Sequence, residues 1–314
     1  MARKNAMAKI QPAMRTMTFE IGAEGQGSTV YIDLMQCASI VNRRFYRQGL
    51  NVAVGGFSLV RTPTSGSGFV QIQSLPNTWV LSNSWEKAFR LWRRQQDEAL
   101  EDGQESVKAR FNDFKVYFDQ GHVSAGAVNN LTPVGYTGVP YALGEWDYSR
   151  IVVPNAGAPG VNWEPYMNML GGIVPAPGNP SIGLIQAYAN SRSTPQSPDP
   201  VVPAGITLAE NVYRQMFDVG DNNDAVIDNA VYANNELPYD QDIYPGESAF
   251  DDQTEFVASI NLGNTQNQTQ VAGANFPCGL VKLDLSGLTG TAKLVIHLVP
   301  GEHRGYLCES MVDM

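Results

Sequence analysis

Glycine and proline interrupt this sequence so often that the pattern points away from a helical fold and toward a mostly β one. The 30 Gly and 19 Pro in 314 residues stand between short runs rich in Val, Ile, Thr, Tyr and Phe. A helical chain of this length would show long uninterrupted 3.6-residue periods instead. Toward the amino end the runs are Met17–Ile21, Ser28–Leu34, Asn51–Val60 and Phe69–Leu75, each bounded by Gly, Pro or Ser. Toward the carboxyl end they are Thr254–Leu262, Gly279–Leu285 and Lys293–Val299. The last two are joined by Ser286-Gly287-Leu288-Thr289-Gly290, a good hairpin connection. The spacing predicts a mostly β fold, a sandwich or barrel. With 43% hydrophobic residues, a chain of this size can bury roughly 75% of its unfolded surface and needs no covalent staple.

One helix is predicted among the strands. Trp85, Ala88, Phe89, Trp92, Gln96 and Ala99 share one face over about 84–102, Asn83 and Glu86 imitate a capping box, and Asp102-Gly103 marks the end. A helical or mixed stretch at Glu105–Phe111 leads into an alternating strand at Phe114–Phe118. From Gly121 to Gly183 the pattern is loop-dominated, with a strand at Tyr148–Val153. Gly183–Ala189 reads as a further strand. Pro195, Pro198, Pro200 and Pro203 exclude helix and central strand from 190–205. The economical division is a basic arm at 1–17 followed by one β domain at 18–314, with loop-rich surface insertions at about 121–255.

Charge is segregated along this frame. Residues 1–115 hold 15 Lys and Arg against 10 Asp and Glu, whereas the remaining residues hold 6 against 21. Eleven acids and no Lys or Arg lie between Asp218 and Glu255. A chain divided in this way can turn one side to a polyanion while the other stays solvated. Arg3, Lys4, Lys9 and Arg15 in the arm have no neighbouring acids to pair with and are the best candidate phosphate contacts. Arg43-Arg44-Phe45-Tyr46-Arg47 interleaves cations with aromatics, so phosphate neutralisation and base stacking can meet at one place. If extended, Arg43, Phe45 and Arg47 share a face. The competing reading is a solvated strand end whose aromatics pack in the core. Lys87, Arg90 and Arg94 form a helix face, but Glu86 and Glu98 stand at i,i+4 spacing from the two arginines.

Enzyme motifs are missing or incomplete. Gly246-Glu247-Ser248-Ala249-Phe250 begins like a nucleophile elbow but lacks its final Gly. There is no phosphate-binding glycine loop, and His122, His297 and His303 have no metal-ligand spacing. Cys37, Cys278 and Cys308 are too widely spaced for a zinc site and read as reduced thiols. Asp218, Asp221 and Asp224 lie close together in a Gly/Asn-rich segment that misses the EF-hand spacing; a solvated acidic loop is favoured over Ca²⁺ at a subunit contact, and no other cofactor is expected. Glu145-Trp146-Asp147 sets two carboxylates on one side of an extended segment, the raw material of a glycoside hydrolase. Arg150 stands where the related hydrolase pattern has its third acid, which opposes a protonated general acid. No apolar run reaches the ~18 residues of a membrane span, and none resembles a signal-peptide core.

The segments Ser28–Leu34 and Asn42–Gly49 with the strand ending at Val60, together with Gly279–Leu285 and Lys293–Pro300, resemble capsid proteins of small circular single-stranded DNA viruses that encode a replication initiator. That group includes smacovirus-like and unclassified environmental members. The likeness covers a minor part of the chain and rests on strand layout. It implies an eight-stranded antiparallel jelly-roll sandwich with long projecting loops, without catalytic activity. It further implies assembly with copies of itself into a small icosahedral shell around single-stranded DNA, residence in the virion and in the host cell during assembly, and a host receptor. Arg3, Lys4, Lys9, Arg15, Arg43, Arg44 and Arg47 would face the nucleic acid. Unlike circovirus-like relatives the chain lacks a dense Arg-rich arm and has a net charge of −10, which weakens the expectation that the arm neutralises the genome. The alternative is a secreted β-sandwich that binds or hydrolyses carbohydrate through Trp146, Trp163 and the Glu145/Asp147 pair.

Overall fold

The computed structural model describes residues 12–23, 26–61, 68–101, 107–154, 161–174, 180–192, 229, 245–246, 253–262, 268–288 and 290–314. Its frame is two antiparallel sheets built from eight strands: β1 (Thr16–Ile21), β2 (Thr29–Asp33), β3 (Leu50–Arg61), β4 (Gly68–Ser74), β5 (Glu255–Leu262), β6 (Gln268–Ala272), β7 (Leu280–Asp284) and β8 (Ala292–Leu298). One sheet has the order β1-β8-β3-β6 and the other β5-β4-β7-β2. Two short segments, Asn275–Phe276 and Cys308–Ser310, extend the first sheet along the start of β3. Seven of these eight strands coincide with the alternating runs in the sequence. The eighth, β6, is a Gln- and Thr-rich edge strand with no apolar signal.

Period-two alternation places the core between the sheets. Met17, Phe19 and Ile21 of β1, with Leu294 and Ile296 of β8, face Ile32, Val70, Ile72 and Leu283 from the other sheet, and all are essentially fully buried. Phe57 and Phe276 meet edge to face at 5.7 Å. Each such side chain contributes about 1.5–3 kcal/mol by leaving water.

Because neighbouring strands run antiparallel, the connections β1–β2, β3–β4, β5–β6 and β7–β8 share one end of the sandwich, and β2–β3, β4–β5 and β6–β7 share the other. Close packing at the first end explains two glycines. A Cβ on Gly22 would lie 2.4 Å from the Gly290 carbonyl oxygen, and one on Gly68 would lie 2.7 Å from that of Gly287.

The opposite end carries the helices. The β2–β3 connection forms α1 (Leu34–Asn42), which the sequence pattern did not reveal. The β4–β5 connection, residues 75–254, takes over half the chain and begins with α2 (Trp79–Leu100). That helix starts a turn earlier than the expected 84–102. Thr78 is its N-cap, accepting from the Leu81 amide at 3.4 Å, because Val80 and Leu81 continue the buried stripe ahead of Trp85. Asn83 and Glu86 therefore lie inside the helix, and the expected capping box does not form.

The expected strand at Gly183–Ala189 is corrected as well: after a short strand at Ser181–Gly183 the chain forms α4 (Leu184–Arg192), which packs against α2, while α3 (Gln120–Ala125) precedes it. Phe114–Phe118 is extended but is not a ladder strand. Both of its faces are buried, and its backbone bonds to residues 149, 167, 169 and 170. Of Tyr148–Val153, only Val153 enters a strand.

Among the described residues, some of the segment expected as surface loops packs inward. Phe114, Val116, Phe118, Met169, Leu170 and Ile185 join α2 in a second apolar cluster, laid on the outer face of the second sheet through Tyr31 and Leu280. Residues 131–134 close the open side of the sandwich, with the Leu131 amide on the Tyr31 carbonyl (2.8 Å) and the Val134 amide on that of Thr18 (2.7 Å). Two edge strands are thereby covered. A loop that does project is 133–141, pinned at its base by Val134 and Tyr141, with Tyr136 and Val139 exposed at its tip. The sequence-based arm boundary at 17 shifts slightly, since Thr16 opens β1 and Met17 is in the core.

Candidate functional site

Asp33 ends β2 and starts α1. Its carboxylate caps the helix, accepting from the Met35 (3.0 Å) and Gln36 (3.1 Å) amides, which otherwise lack partners. Three more donors converge on its second oxygen: Gln48 Nε2 at 2.9 Å, the Trp146 indole at 3.0 Å and the Tyr148 hydroxyl at 3.2 Å. Asp33 is wholly buried, and burial raises its pKa above the ordinary carboxylate value while these hydrogen bonds oppose the shift. The polar chain continues outward. Asn130 donates to Gln36 and to Tyr148 (2.9 Å each) and accepts from His122 (2.7 Å). Lys282 of β7 and the Tyr31 hydroxyl meet on Asp119, at 2.6 and 2.7 Å. This network ties the long insertion to the second sheet.

Above this floor, between the carboxyl end of α1 and residues 109–152, lies a cavity of about 840 Å³. Arg43 caps α1 in the left-handed region (φ 52°), so the chain turns sharply out of the helix. Tyr46 then points inward, fully buried against Tyr306 at 5.5 Å. Phe45 faces the cavity, 5.3 Å from Phe111 and 6.2 Å from Trp146. The Phe111 ring is 58% exposed.

Lys115 enters the cavity between two rings, its ammonium 4.8 Å from the Trp146 centroid and 5.9 Å from that of Phe45. The residue is 6% exposed. Among the described residues its ammonium makes no hydrogen bond or ion pair. Burial lowers its pKa below the ordinary lysine value, and the carboxylates of Asp113, Asp33 and Asp147 oppose this through space. Arg43, Arg44, Arg110 and Arg150 also line the cavity, against the carboxylates Asp113, Glu145 and Asp147. Asp113 is already engaged by Arg47 (3.0 Å) and the Gln48 amide (3.1 Å). The cavity is cationic with an aromatic wall.

Two of the segments singled out in the sequence, residues 43–47 and Glu145-Trp146-Asp147, thus meet at one place. Arg43 and Arg44 line the cavity. Arg47 does not join Arg43 and Phe45 along the cavity, as an extended segment would have it, since Arg43 is left-handed (φ 52°) and the Arg47 guanidinium, over Phe45 at 5.7 Å, pairs with Asp113. This half-solvated pair is worth at most about 1 kcal/mol, so Arg47→Ala is expected to move the melting midpoint by only a few degrees in a thermal scan. Arg15 is exposed at the start of β1, on the same end of the sandwich: the Arg44 guanidinium reaches the Pro12 carbonyl at 3.4 Å and the Met14 amide bonds Asn42 at 2.9 Å. Arg3, Lys4 and Lys9 lie outside the described residues, as do Asp218, Asp221 and Asp224.

On α2, Arg90 pairs with Glu86, Arg94 with Glu98 at 2.6 Å, and Lys87 bonds Ser191 at 2.5 Å, so this cationic face is internally matched. Glu145 and Asp147 are exposed on one side of their segment, as the alternation implied, but Trp146 is buried with its N–H on Asp33 and its ring beneath Lys115. That ring is no platform for a sugar. Arg110, Phe111 and Lys115 were missed from the sequence, and Arg150 was noted there only as the residue replacing an acid in the hydrolase pattern. The cation and aromatic alternation of Arg110-Phe111 through Lys115 repeats that of residues 43–47 and is the signal that marks them.

Among the described residues no three His, Cys, Asp or Glu side chains gather to hold a metal ion, and no helix is long and apolar enough to cross a membrane. All three cysteines are free, Cys37 and Cys278 buried and Cys308 partly so. Comparison with protein-family models, with curated proteins and with solved structures found no match.

Proposed function

We propose that this chain is a viral coat protein, a jelly roll whose copies close into a small icosahedral shell around single-stranded DNA, with no catalytic activity of its own. The observation that carries this reading is the strand order. The orders β1-β8-β3-β6 and β5-β4-β7-β2 support a jelly roll, since rolling up an eight-stranded hairpin as two Greek keys would produce them, and that architecture is one capsid proteins share with lectins and cupins.

Fold alone does not choose among these, so function must come from the sites. Two features favour the coat. Arg15, Arg43 and Arg44 stand together at the end where the peptide bearing Arg3, Lys4 and Lys9 joins the described chain, which gives that end a cationic character suited to phosphate. The projecting loop exposes Tyr136 completely and Val139 to 63%, an apolar tip that gains by docking on another copy. The DNA identity of the cargo, the virion location and the host receptor rest on the family resemblance.

Expression followed by size-exclusion chromatography and negative-stain microscopy tests the proposal. Closed particles containing nuclease-protected nucleic acid are expected, and a persistent monomer across salt and pH overturns the reading. Tyr136→Asp combined with Val139→Asp is expected to leave folded, unassembled subunits. Removing residues 1–11, which leaves β1 intact, is expected to lower the packaged nucleic acid and to flatten the salt dependence of binding.

A further inference from the structure

We propose that the cavity beside α1 seats one nucleotide of a single-stranded nucleic acid, with its phosphate on Lys115 and Arg44 and its base against Phe111 and Phe45. The inference deepens the coat-protein reading and rests on it for the source of the strand. Its starting point is Lys115. A lysine 6% exposed, held between two aromatic faces, makes no hydrogen bond or ion pair with any described residue. An ammonium withdrawn from water without a direct counter-ion is costly, and an anion entering the cavity removes that cost. Asp113, the nearest candidate in sequence, already serves Arg47 and the Gln48 amide.

The second observation is the wall. Phe111 is more than half exposed beside Phe45, and Arg110 lies over its ring at 5.5 Å. A flat apolar surface flanked by guanidinium groups accepts a base of any identity, because every base has a π-face. Glu145 and Asp147 also line the cavity and limit the negative charge it tolerates, which favours a single phosphate over a polyphosphate. A volume of about 840 Å³ accommodates one such unit. The rim at Arg44 also touches Pro12, so the basic amino-terminal peptide starts next to the site.

The test is read on unassembled full-length subunits by fluorescence anisotropy. The probes are a labelled ten-residue oligothymidylate, the same strand with abasic sites, thymidine monophosphate and inorganic phosphate. For the wild-type chain the oligothymidylate is expected to bind about tenfold more tightly than the abasic strand. Lys115→Met is expected to weaken oligothymidylate about tenfold. Phe111→Ala, a change at an exposed ring that leaves the fold intact, is expected to weaken oligothymidylate about fivefold and leave the abasic strand unaffected.

Equal binding by both variants and the wild type overturns the site. Inorganic phosphate competing as well as the strand reduces it to a simple anion site and overturns the base contact. Thymidine monophosphate binding as tightly as the strand assigns the cavity to free nucleotide and overturns the strand. A chain that shows the expected differences yet never forms particles keeps the site and loses only the coat reading; particles from a chain indifferent to both substitutions do the reverse.

Discussion

Asp33→Ala is expected to lower the unfolding free energy by about 4 kcal/mol. One buried carboxylate receives five donors, two helix amides, Gln48, Trp146 and Tyr148, and none of the five has water to turn to when the acceptor is removed. Loss of the α1 cap alone costs about 1 kcal/mol. Each buried donor left without an acceptor adds about 1–3 kcal/mol, reduced by relaxation of the neighbours.

Asp33→Asn keeps an oxygen for the helix amides but turns an NH₂ toward Gln48, Trp146 and Tyr148, so about 2 kcal/mol is expected. Urea unfolding of unassembled subunits followed by tryptophan fluorescence measures both variants. A change below about 1 kcal/mol for the alanine variant would mean that the network does not hold the insertion to the sandwich. Because burial raises the Asp33 pKa, the folded chain holds this proton more tightly than the unfolded chain. Asp33 by itself therefore adds stability as the pH falls through its folded value toward the ordinary one.

His122 acts in the opposite sense. Its ring is fully buried, stacked on Tyr31 at 4.3 Å; Nδ1 accepts from the Phe118 amide at 3.1 Å, which leaves the proton on Nε2 to be donated to Asn130 at 2.7 Å. A second proton would have to replace the bond at Nδ1. Burial therefore pulls the pKa from 6.5 down to about 4, against smaller opposing effects of Asn130 and Asp119. The unfolded chain takes up its proton near pH 6.5 and the folded chain only near 4, so stability is fully present above 6.5 and is lost as the pH falls between these values. The loss is about 3 kcal/mol at completion. His122→Gln is expected to be less stable at pH 7 but to lose most of the acid-dependent slope between pH 6.5 and 4.5. Equal slopes in variant and wild type would show that another group carries the acid sensitivity.

How much of this was readable in the sequence differs from element to element. Runs such as Phe69–Leu75 and Lys293–Val299 announce themselves because one face is buried and the other solvated, and a two-residue period records that directly. Gln268–Ala272 gives no such record, since an edge strand with exposed Gln268 and Gln270 is held by its ladder to β3 rather than by apolar burial. The run after Gly183 carries enough apolar residues for either structure, and packing against α2 made it a helix. Asp33 followed by Leu34, Met35, Cys37 and Ala38 contains a cap and a buried face, yet the preceding strand pattern runs straight into it and hides the start of α1.

The sequence by itself determined that the chain is β-rich, where most strands lie, that α2 has one apolar face, and that cations and aromatics interleave over Arg43-Arg44-Phe45-Tyr46-Arg47. Only the tertiary structure decided that Lys115, Phe111 and Trp146 stand beside that group, over a carboxylate buried at the end of β2. Alternation and capping are local, written within a few residues. Which connections share an end of the sandwich depends on strand pairings that span most of the chain, from β1 to β8 and from β2 to β7, and no local pattern encodes them.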